Sequence, residues 1–229
     1  MNFVIITDNL AYLASGFRYT VELTVIAAAG GLLFGLLLAL CRLSPWWLPR
    51  RLAGWYVDLM RSIPLLLVLF WVFFLFPIIL QELIGAPRPV RVGPERTAII
   101  TFILFESAYF CEIIRSGVRS VSQGQWGAAL ALGLSRYQRM RYVILPQALR
   151  NMTPVLLTQV IVLFQDTSLV YVISGTDFLG AAARIGQRDG DLVVPYLFVA
   201  LVYLVVSLGL SYFVGRLQRN SNQRRIALA

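Results

Sequence analysis

Long runs of apolar residues limit the folds open to this chain more than any other feature of its sequence. Residues 62–80 and 192–214 contain no charged side chain, and residues 21–41 contain only Glu22. A helix needs about 20 mainly apolar residues to cross the roughly 30 Å hydrocarbon core of a membrane. Residues 97–114 and 152–173 are also long enough, although both contain carboxylates. The sequence therefore predicts an all-α integral membrane protein with five transmembrane helices. We place the spans at about 20–42, 57–80, 97–115, 150–173 and 192–215, in one transmembrane domain of residues 1–229.

The composition excludes several chemistries. There is no His, and all twenty positive side chains are Arg, so Lys is absent as well. A Ser-His-Asp triad, a His-ligated zinc site, a Schiff-base lysine and an ATP-binding P-loop are therefore impossible within this chain. Cys41 and Cys111 both lie in apolar runs, where we interpret them as small buried hydrophobes. We expect no catalytic residue, metal or cofactor here, and any ATP must be bound by another subunit.

The distribution of Arg predicts the orientation in the membrane. The net charge is +9, and the positive charges flank the apolar runs. They are concentrated after span one, between spans three and four, and in the C-terminal tail. These are Arg42, Arg50, Arg51, Arg115, Arg119, Arg136, Arg139, Arg141, Arg150, Arg216, Arg219, Arg224 and Arg225. Short Arg-rich loops lie on the cytoplasmic side. We expect the N-terminus outside, the C-terminus in the cytoplasm, and a lipid bilayer rather than a nucleic acid as the partner of this charge.

The connection between spans three and four, about residues 116–149, is patterned as helix. A first short helix is predicted over 125–132 with Gly133 as its C-terminal residue, and a second begins after Ser135 and ends at Pro146. Trp126, Ala129, Leu130 and Gly133 recur at helical spacing, which gives a small-residue face with one aromatic anchor. Such a face suits docking into a partner's groove. Alternatively, the loop packs only beneath its own helices.

The residues of this loop resemble the EAA loop of ATP-binding-cassette (ABC) importer permeases. That motif reads Glu-Ala-Ala, then Gly, then Ile-x-Leu-Pro, and the matching positions are Gly127-Ala128-Ala129, Gly133, Val143 and Leu145-Pro146. Further blocks resemble the permeases of polar amino acid importers, most of all those for glutamate and aspartate. They are Phe105-Glu106-Ser107-Ala108-Tyr109, Arg61-Ser62-Ile63-Pro64-Leu65 and Phe164-Gln165-Asp166-Thr167-Ser168-Leu169-Val170-Tyr171. One departure is Gly127, which stands where the motif usually has Glu, so the partner permease is the alternative source of that charged contact.

The resemblance implies a subunit of a type I importer in the bacterial cytoplasmic membrane. Such a subunit pairs with a second permease or a second copy of itself, sits on two ATPase subunits, and receives polar, here acidic, amino acids from an extracytoplasmic binding protein. The resemblance further implies which residues couple the permease to the ATPase. They are Trp126, Gly127, Ala128, Ala129, Gly133, Val143, Leu145 and Pro146.

Carboxylates within the spans predict a polar path. Glu106 lies about nine residues into its helix, about 14 Å deep, where it cannot easily reach water. Gln159 and Asp166 are seven residues apart and share a helix face. We expect a translocation path lined by Glu106, Tyr109, Gln159, Gln165, Asp166, Thr167 and Ser168. The alternative is interhelical hydrogen bonding alone. Asp166 could bind the α-ammonium of an amino acid, leaving a substrate carboxylate to an Arg, a hydroxyl or a helix N-terminus.

Three further charged residues have open roles. Glu112 and Arg115 are three residues apart near the cytoplasmic end of span three, which favours a structural salt bridge. Arg61, at the start of span two, either extends towards the interface or lines the path.

Two other functions were weighed. An intramembrane enzyme would need Glu106 and Glu112 to converge, but six residues rotate a helix by about 120° and advance it by about 9 Å. A transporter working alone usually rests on internal repeats, and the sequence has none. Copurification with an ATPase subunit separates the importer from both.

Overall fold

The computed structural model describes residues 4–85, 87–88 and 92–226, with side chains as far as residue 218, and the regular elements in these ranges are all helical. The N-terminal half consists of α1 (Val4–Asp8), α2 (Leu10–Leu43), α3 (Trp47–Ser62), α4 (Leu65–Phe70), a π-helical turn (Trp71–Leu75), α5 (Phe76–Ile84) and α6 (Pro94–Arg119). The C-terminal half consists of α7 (Gln123–Ala131), α8 (Arg136–Gln138), a second π-helical turn (Arg139–Ile144), α9 (Leu145–Asp166), a 3₁₀ helix (Thr167–Ile173), α10 (Phe178–Asp189) and α11 (Val193–Ile226).

Five helical stretches in the described ranges are long and apolar enough to cross a membrane. They are Leu10–Leu43, Leu65–Ile84, Pro94–Arg119, Arg136–Ile173 and Val193–Gln218. The prediction of an all-α fold with five membrane helices is therefore confirmed.

α6 is the central helix, and its contact with α2 is the most extensive among the described helices. A Cβ added at Gly35 of α2 would lie 2.8 Å from Phe110 Cβ and 2.9 Å from the Ser107 carbonyl oxygen. Two helices approach this closely only where one of them lacks side-chain volume. Phe102 and Phe110 of α6 are accordingly buried.

The second predicted span, 57–80, contains a break. α3 ends at Ser62, and Ile63 and Pro64 have extended backbone conformations before α4 begins at Leu65. Pro64 has no N–H to donate and disfavours a helical conformation at Ile63. α3 is therefore a separate helix, and the second span starts at Leu65.

The prediction that Pro146 ends the second loop helix is wrong. The helix that starts at Arg136 passes through the π-helical turn and continues as α9, so that residues Arg136–Ile173 form one helical stretch. Pro146 lies in the first turn of α9, where its missing N–H has least effect. The fourth span therefore begins within the loop.

The segment between spans four and five contains a helix of twelve residues, α10. Asp177 caps α10 by accepting a hydrogen bond from Leu179 N at 3.0 Å, and Gly190 ends it in the left-handed conformation. Small buried residues such as Ala182 and Gly186 let α10 pack closely on its neighbours.

Candidate functional site

Glu106 of α6 is completely buried and bonded to a single polar partner on another helix. Gln159 Nε2 of α9 donates to Glu106 Oε2 at 3.1 Å and to Oε1 at 3.4 Å. Both residues belong to the predicted path, and the structure brings them into direct contact. The pair joins the two helices at the middle of the membrane.

Two more residues of the predicted path, together with Arg61, lie near this pair. Asp166 ends α9, and its carboxylate interacts electrostatically with Glu106. The Tyr109 phenol interacts with Glu106, Asp166 and Arg61. The Arg61 guanidinium carbon lies over the Tyr109 ring, 5.6 Å from its centroid. The structure thus brings two carboxylates and one guanidinium around Tyr109, with Gln159 beside them.

Three other residues predicted for the path face a different part of the bundle. Gln165 Nε2 donates to Ser207 Oγ of α11 at 3.1 Å. Thr167 is buried and its hydroxyl donates to the backbone of its own helix. Ser168 lines an apolar groove bounded by α11 and α10. The predicted set is therefore split between a polar cluster around Tyr109 and a surface that packs towards α11.

Glu112 is the centre of an ion network at the opposite end of α6 from Pro94. The predicted bond with Arg115 is present, with Arg115 Nε donating to Glu112 Oε2 at 2.9 Å. Arg42 Nη1, from the end of α2, donates to the same oxygen at 2.9 Å. Arg61 lies 3.9 Å from it, and Arg42 is also 3.7 Å from Asp58 of α3. Sequence spacing could not find Arg42, which is 70 residues from Glu112. We name these five residues the Glu112 network; it ties α2, α3 and α6 together.

One face of the first loop helix, α7, packs against other residues of this chain. Ala129 is buried, and Trp126 packs against a small cluster that includes Val118 and Ile144. Gly133 adopts a φ of 72°, and the helix ends in paired bonds from Gly133 N to Leu130 O and from Leu134 N to Ala129 O. The left-handed Gly133 expected at this helix end is confirmed.

The other face of α7 is open. Gly127, Ala128, Leu130 and Leu132 are exposed, and no atom lies within 4 Å of a Cβ placed at Gly127. Val143 packs into the same small cluster as Trp126, whereas Leu145 and Pro146 are exposed at the start of α9. Of the residues matched to the EAA motif, Ala129 and Val143 therefore support the loop from within, and the others form its outer surface.

Asp177 was not singled out by the sequence, although an Asp before a run of helix formers is an N-cap signal. Its carboxylate is completely buried, and burial raises the pKa of Asp177 to about 7. Phe178 N donates to Thr20 Oγ1 of α2 at 3.0 Å, and Arg184 Nη2 donates to the Ser174 carbonyl at 2.8 Å. The cap thus fixes α10 against α2 at the far end of the bundle from the Glu112 network.

Comparison with known proteins gives consistent results. The sequence profile of the family described as binding-protein-dependent transport system inner membrane component matches residues 31–223. The glutamate/aspartate import permease protein GltK of Escherichia coli O157:H7 is 47% identical over 216 residues, which cover 94% of this chain and 96% of GltK. The glutamine transport system permease protein GlnP of Escherichia coli K12 is 34% identical over 207 residues, covering 90% of this chain and 91% of GlnP.

A chain in the crystal structure of an amino acid ABC transporter with histidines superposes with a TM-score of 0.87 at 29% identity. The alignment covers 96% of this chain and 99% of that one. An inward-facing structure of the MetNI methionine ABC transporter gives a TM-score of 0.72 at 18% identity, with 93% of this chain and 97% of that one covered, and shares the fold.

Proposed function

The chain belongs to the family of binding-protein-dependent transport system inner membrane components, and we propose that it is the permease subunit of an ATP-driven importer for glutamate and aspartate. Proteins of this family are inner membrane permease subunits of ABC transporters, not enzymes, and the ATPase is a separate subunit. The family in general works with a partner permease and a binding protein. The higher identity to the glutamate/aspartate permease than to the glutamine permease supports the acidic substrate.

One observation carries the proposal for the path: the buried Glu106 is bonded across helices to Gln159, and the neighbouring Tyr109 has charges of both signs around it. An acidic amino acid carries one ammonium and two carboxylates. Asp166 is the group we assign to the ammonium. The partly exposed Arg61, above Tyr109, is the group we assign to a carboxylate. The presence of acids along a path for an anionic substrate is explained if each end of the substrate meets an opposite charge.

The outer surface of α7 is our candidate for docking on the ATPase. It consists of Gly127, Ala128, Leu130 and Leu132, followed by Pro146 at the start of α9. Small side chains allow two backbones to approach closely, and exposed leucines supply apolar contact. Because Gly127 brings no carboxylate, a charged contact at that position comes from the partner permease.

The proposed orientation has the C-terminus and α7 in the cytoplasm and the N-terminus outside. The support is the excess of Arg at the end of the bundle that carries α7. Reporter fusions at residue 229 and at Pro87 measure this, and a cytoplasmic signal at Pro87 would reverse the orientation.

The substrate path is tested with Asp166→Asn. We expect lower ATP-dependent uptake of labelled glutamate and aspartate by cells that produce the complete transporter, with a normal amount of protein in the membrane, because the charge that meets the ammonium is lost. Asp189→Asn is the matched control, since Asp189 pairs with the neighbouring Arg188 outside the spans. Unchanged uptake of glutamate, aspartate and glutamine by Asp166→Asn would make this carboxylate structural.

The coupling surface is tested with Gly133→Val, which penalises the left-handed end of α7 and adds volume beside the docking face. We expect loss of the ATPase subunit, or ATP hydrolysis that no longer responds to the loaded binding protein. Gly190→Val is the matched control: it has the same φ of 72° and equally open surroundings, but lies at the end of α10. If both variants retain the ATPase and its stimulation equally, α7 is not the docking helix.

A further inference from the structure

α3 is held to the bundle by one of its faces. Ala53 and Val57 are buried against α2 and α6, and the Tyr56 hydroxyl donates to the Leu104 carbonyl at 2.8 Å. Asp58 lies 3.7 Å from Arg42 at the end of α2. The position and rotation of α3 relative to the spans are therefore fixed.

The opposite face of α3 is an apolar stripe. Leu48, Leu52, Trp55 and Leu59 follow one another at helical spacing and are 51%, 59%, 68% and 37% exposed. No residue in the described part of the chain covers them. Sixteen residues give a length of about 24 Å, too short to span a bilayer, and the break at Pro64 separates α3 from the span that follows.

Exposed aromatic and charged residues occupy the first turns of α3. Trp46 and Trp47 begin the helix and are 74% and 65% exposed, and Arg50 and Arg51 are exposed in the next turn. Trp side chains are enriched where hydrocarbon meets headgroups, and helices with an apolar face beside Arg lie in that plane. The composition of α3 fits the membrane interface better than a protein groove. Water does not suit its exposed apolar stripe, and a dry protein interface does not suit its two Arg side chains.

The stripe continues a surface that the bilayer already covers. α2, which precedes α3, exposes Leu36, Leu37 and Leu40 in its last turns, and α4, which follows it, begins the second span. α3 thus connects the end of α2 with the start of α4, on one side of the membrane and at the depth where the acyl chains of that leaflet begin. Lipid phosphates lie at that depth, and two adjacent guanidinium groups match their charge.

We propose that α3 is an interfacial helix that buries Leu48, Leu52, Trp55 and Leu59 among lipid acyl chains and binds the headgroups of anionic phospholipids through Arg50 and Arg51. α3 also carries Asp58 and Arg61. Lipid that binds α3 therefore stabilises the Glu112 network and the position of the Arg61 guanidinium over the Tyr109 ring. Anionic lipid is therefore a ligand of the permease as well as its solvent.

The headgroup contact is tested on the complete transporter in nanodiscs of phosphatidylcholine with phosphatidylglycerol, by counting retained phosphatidylglycerol with native mass spectrometry. The variant Arg50→Gln/Arg51→Gln is expected to weaken retention roughly 5-fold for each Arg removed, or about 1 kcal/mol per cation. Arg88→Gln/Arg96→Gln removes the same charge from exposed positions at the other end of the bundle and is expected to retain as much as the wild type. Equal retention by the two double variants would overturn the proposal.

The apolar contact is tested separately with brominated lipids. The fluorescence of Trp55, taken as the difference between the wild type and Trp55→Phe, is expected to be quenched most by bromine placed near the start of the acyl chains. A Trp55 signal that bromolipids leave unquenched in the complete transporter would mean that a partner subunit covers the stripe, and the lipid assignment would be wrong.

Discussion

Replacing Gly35 with Ala tests whether the close contact of α2 with α6 organises the bundle. The new Cβ would lie 2.8 Å from Phe110 Cβ, 2.9 Å from the Ser107 carbonyl oxygen and 3.0 Å from Cys111 N. Two of these atoms belong to the backbone of α6, so no side-chain rotation can relieve the contact. Since unstrained carbon contacts are about 3.5–4.0 Å, α2 must move away by on the order of 0.7 Å.

Two opposing effects determine the magnitude. Overpacking of this kind costs about 1–3 kcal/mol, whereas Ala in place of Gly within a helix gains about 0.5–1 kcal/mol. The net loss is about 0–2.5 kcal/mol, with a central value of about 1 kcal/mol. For a chain of this size, the central value corresponds to a fall of roughly 2–4 °C in the melting temperature.

Gly209→Ala is the matched control for this change. Gly209 lies within α11, and no atom lies within 4 Å of an added Cβ. The same substitution should therefore keep only the helix-forming gain and raise stability slightly. Thermal unfolding of the purified transporter, followed by size-exclusion chromatography with fluorescence detection, compares the two variants.

The two variants should also differ in transport. Gly31, one turn before Gly35, faces Glu106, and its own added Cβ would lie 2.8 Å from Glu106 Cβ. Moving α2 away from α6 therefore disturbs the surroundings of Glu106, and if Glu106 lines the proposed path, uptake per molecule should fall in Gly35→Ala alone. If Gly35→Ala is as stable and as active as Gly209→Ala, the close contact does not exist and the placement of α2 is wrong.

Three further outcomes are expected. Burial raises the pKa of Asp177 to about 7, so the folded state favours the protonated carboxyl group. The stability of the protein should therefore fall as pH rises from about 4 to about 7. Asp177→Asn keeps the helix cap and should lose this pH dependence, which melting temperatures at pH 5 and pH 8 will measure. An equal slope in wild type and variant would contradict this. Gln159→Leu leaves the buried Glu106 without its hydrogen-bond donor and should lower the free energy of unfolding by about 1–3 kcal/mol. Gln159→Glu should not restore this loss, because a second carboxylate cannot donate to the first. Normal stability of Gln159→Leu would show that the pair is not formed. Gly127→Glu fits into open space and should leave the melting temperature unchanged while retaining the ATPase at least as well, whereas loss of the ATPase would show that Glu is not accepted there.

Sequence reasoning succeeded where a feature depends on one helix. The five spans follow from the length of apolar runs, the positive φ of Gly133 follows from its place after a short helix, and the bond between Glu112 and Arg115 follows from their spacing. Each of these is set by a few consecutive residues. Local spacing also placed Gln159 on one helix face with Asp166, in the same predicted path as Glu106, to which it is bonded.

The failures concern features that depend on how helices meet. Arg42 joins Glu112 only because α2 and α6 end at the same level, which no local pattern reveals. Gln165 was grouped with Asp166, but a difference of one residue rotates a side chain by about 100°, and Gln165 faces Ser207 instead. Pro64 breaks the span predicted over 57–80, and Pro146, which was predicted to end a helix, is instead accommodated in the first turn of α9 after the π-helical turn.

The continuous helical stretch from Arg136 to Ile173 connects the loop that contains α7 with Gln159. Arg136 follows α7, and Gln159 lies 23 residues further along the same stretch, or about 35 Å at about 1.5 Å per residue. A break at Pro146 would have let the loop move without the span. The stretch also contains the π-helical turn and Pro154, two features at which helices bend. We propose that a displacement of the loop by an ATPase subunit is transmitted along this stretch and shifts Gln159 relative to Glu106, which lies against Gly31 of α2. The hydrogen bond between Gln159 and Glu106 is then the contact between α6 and α9 that would open or close with the loop.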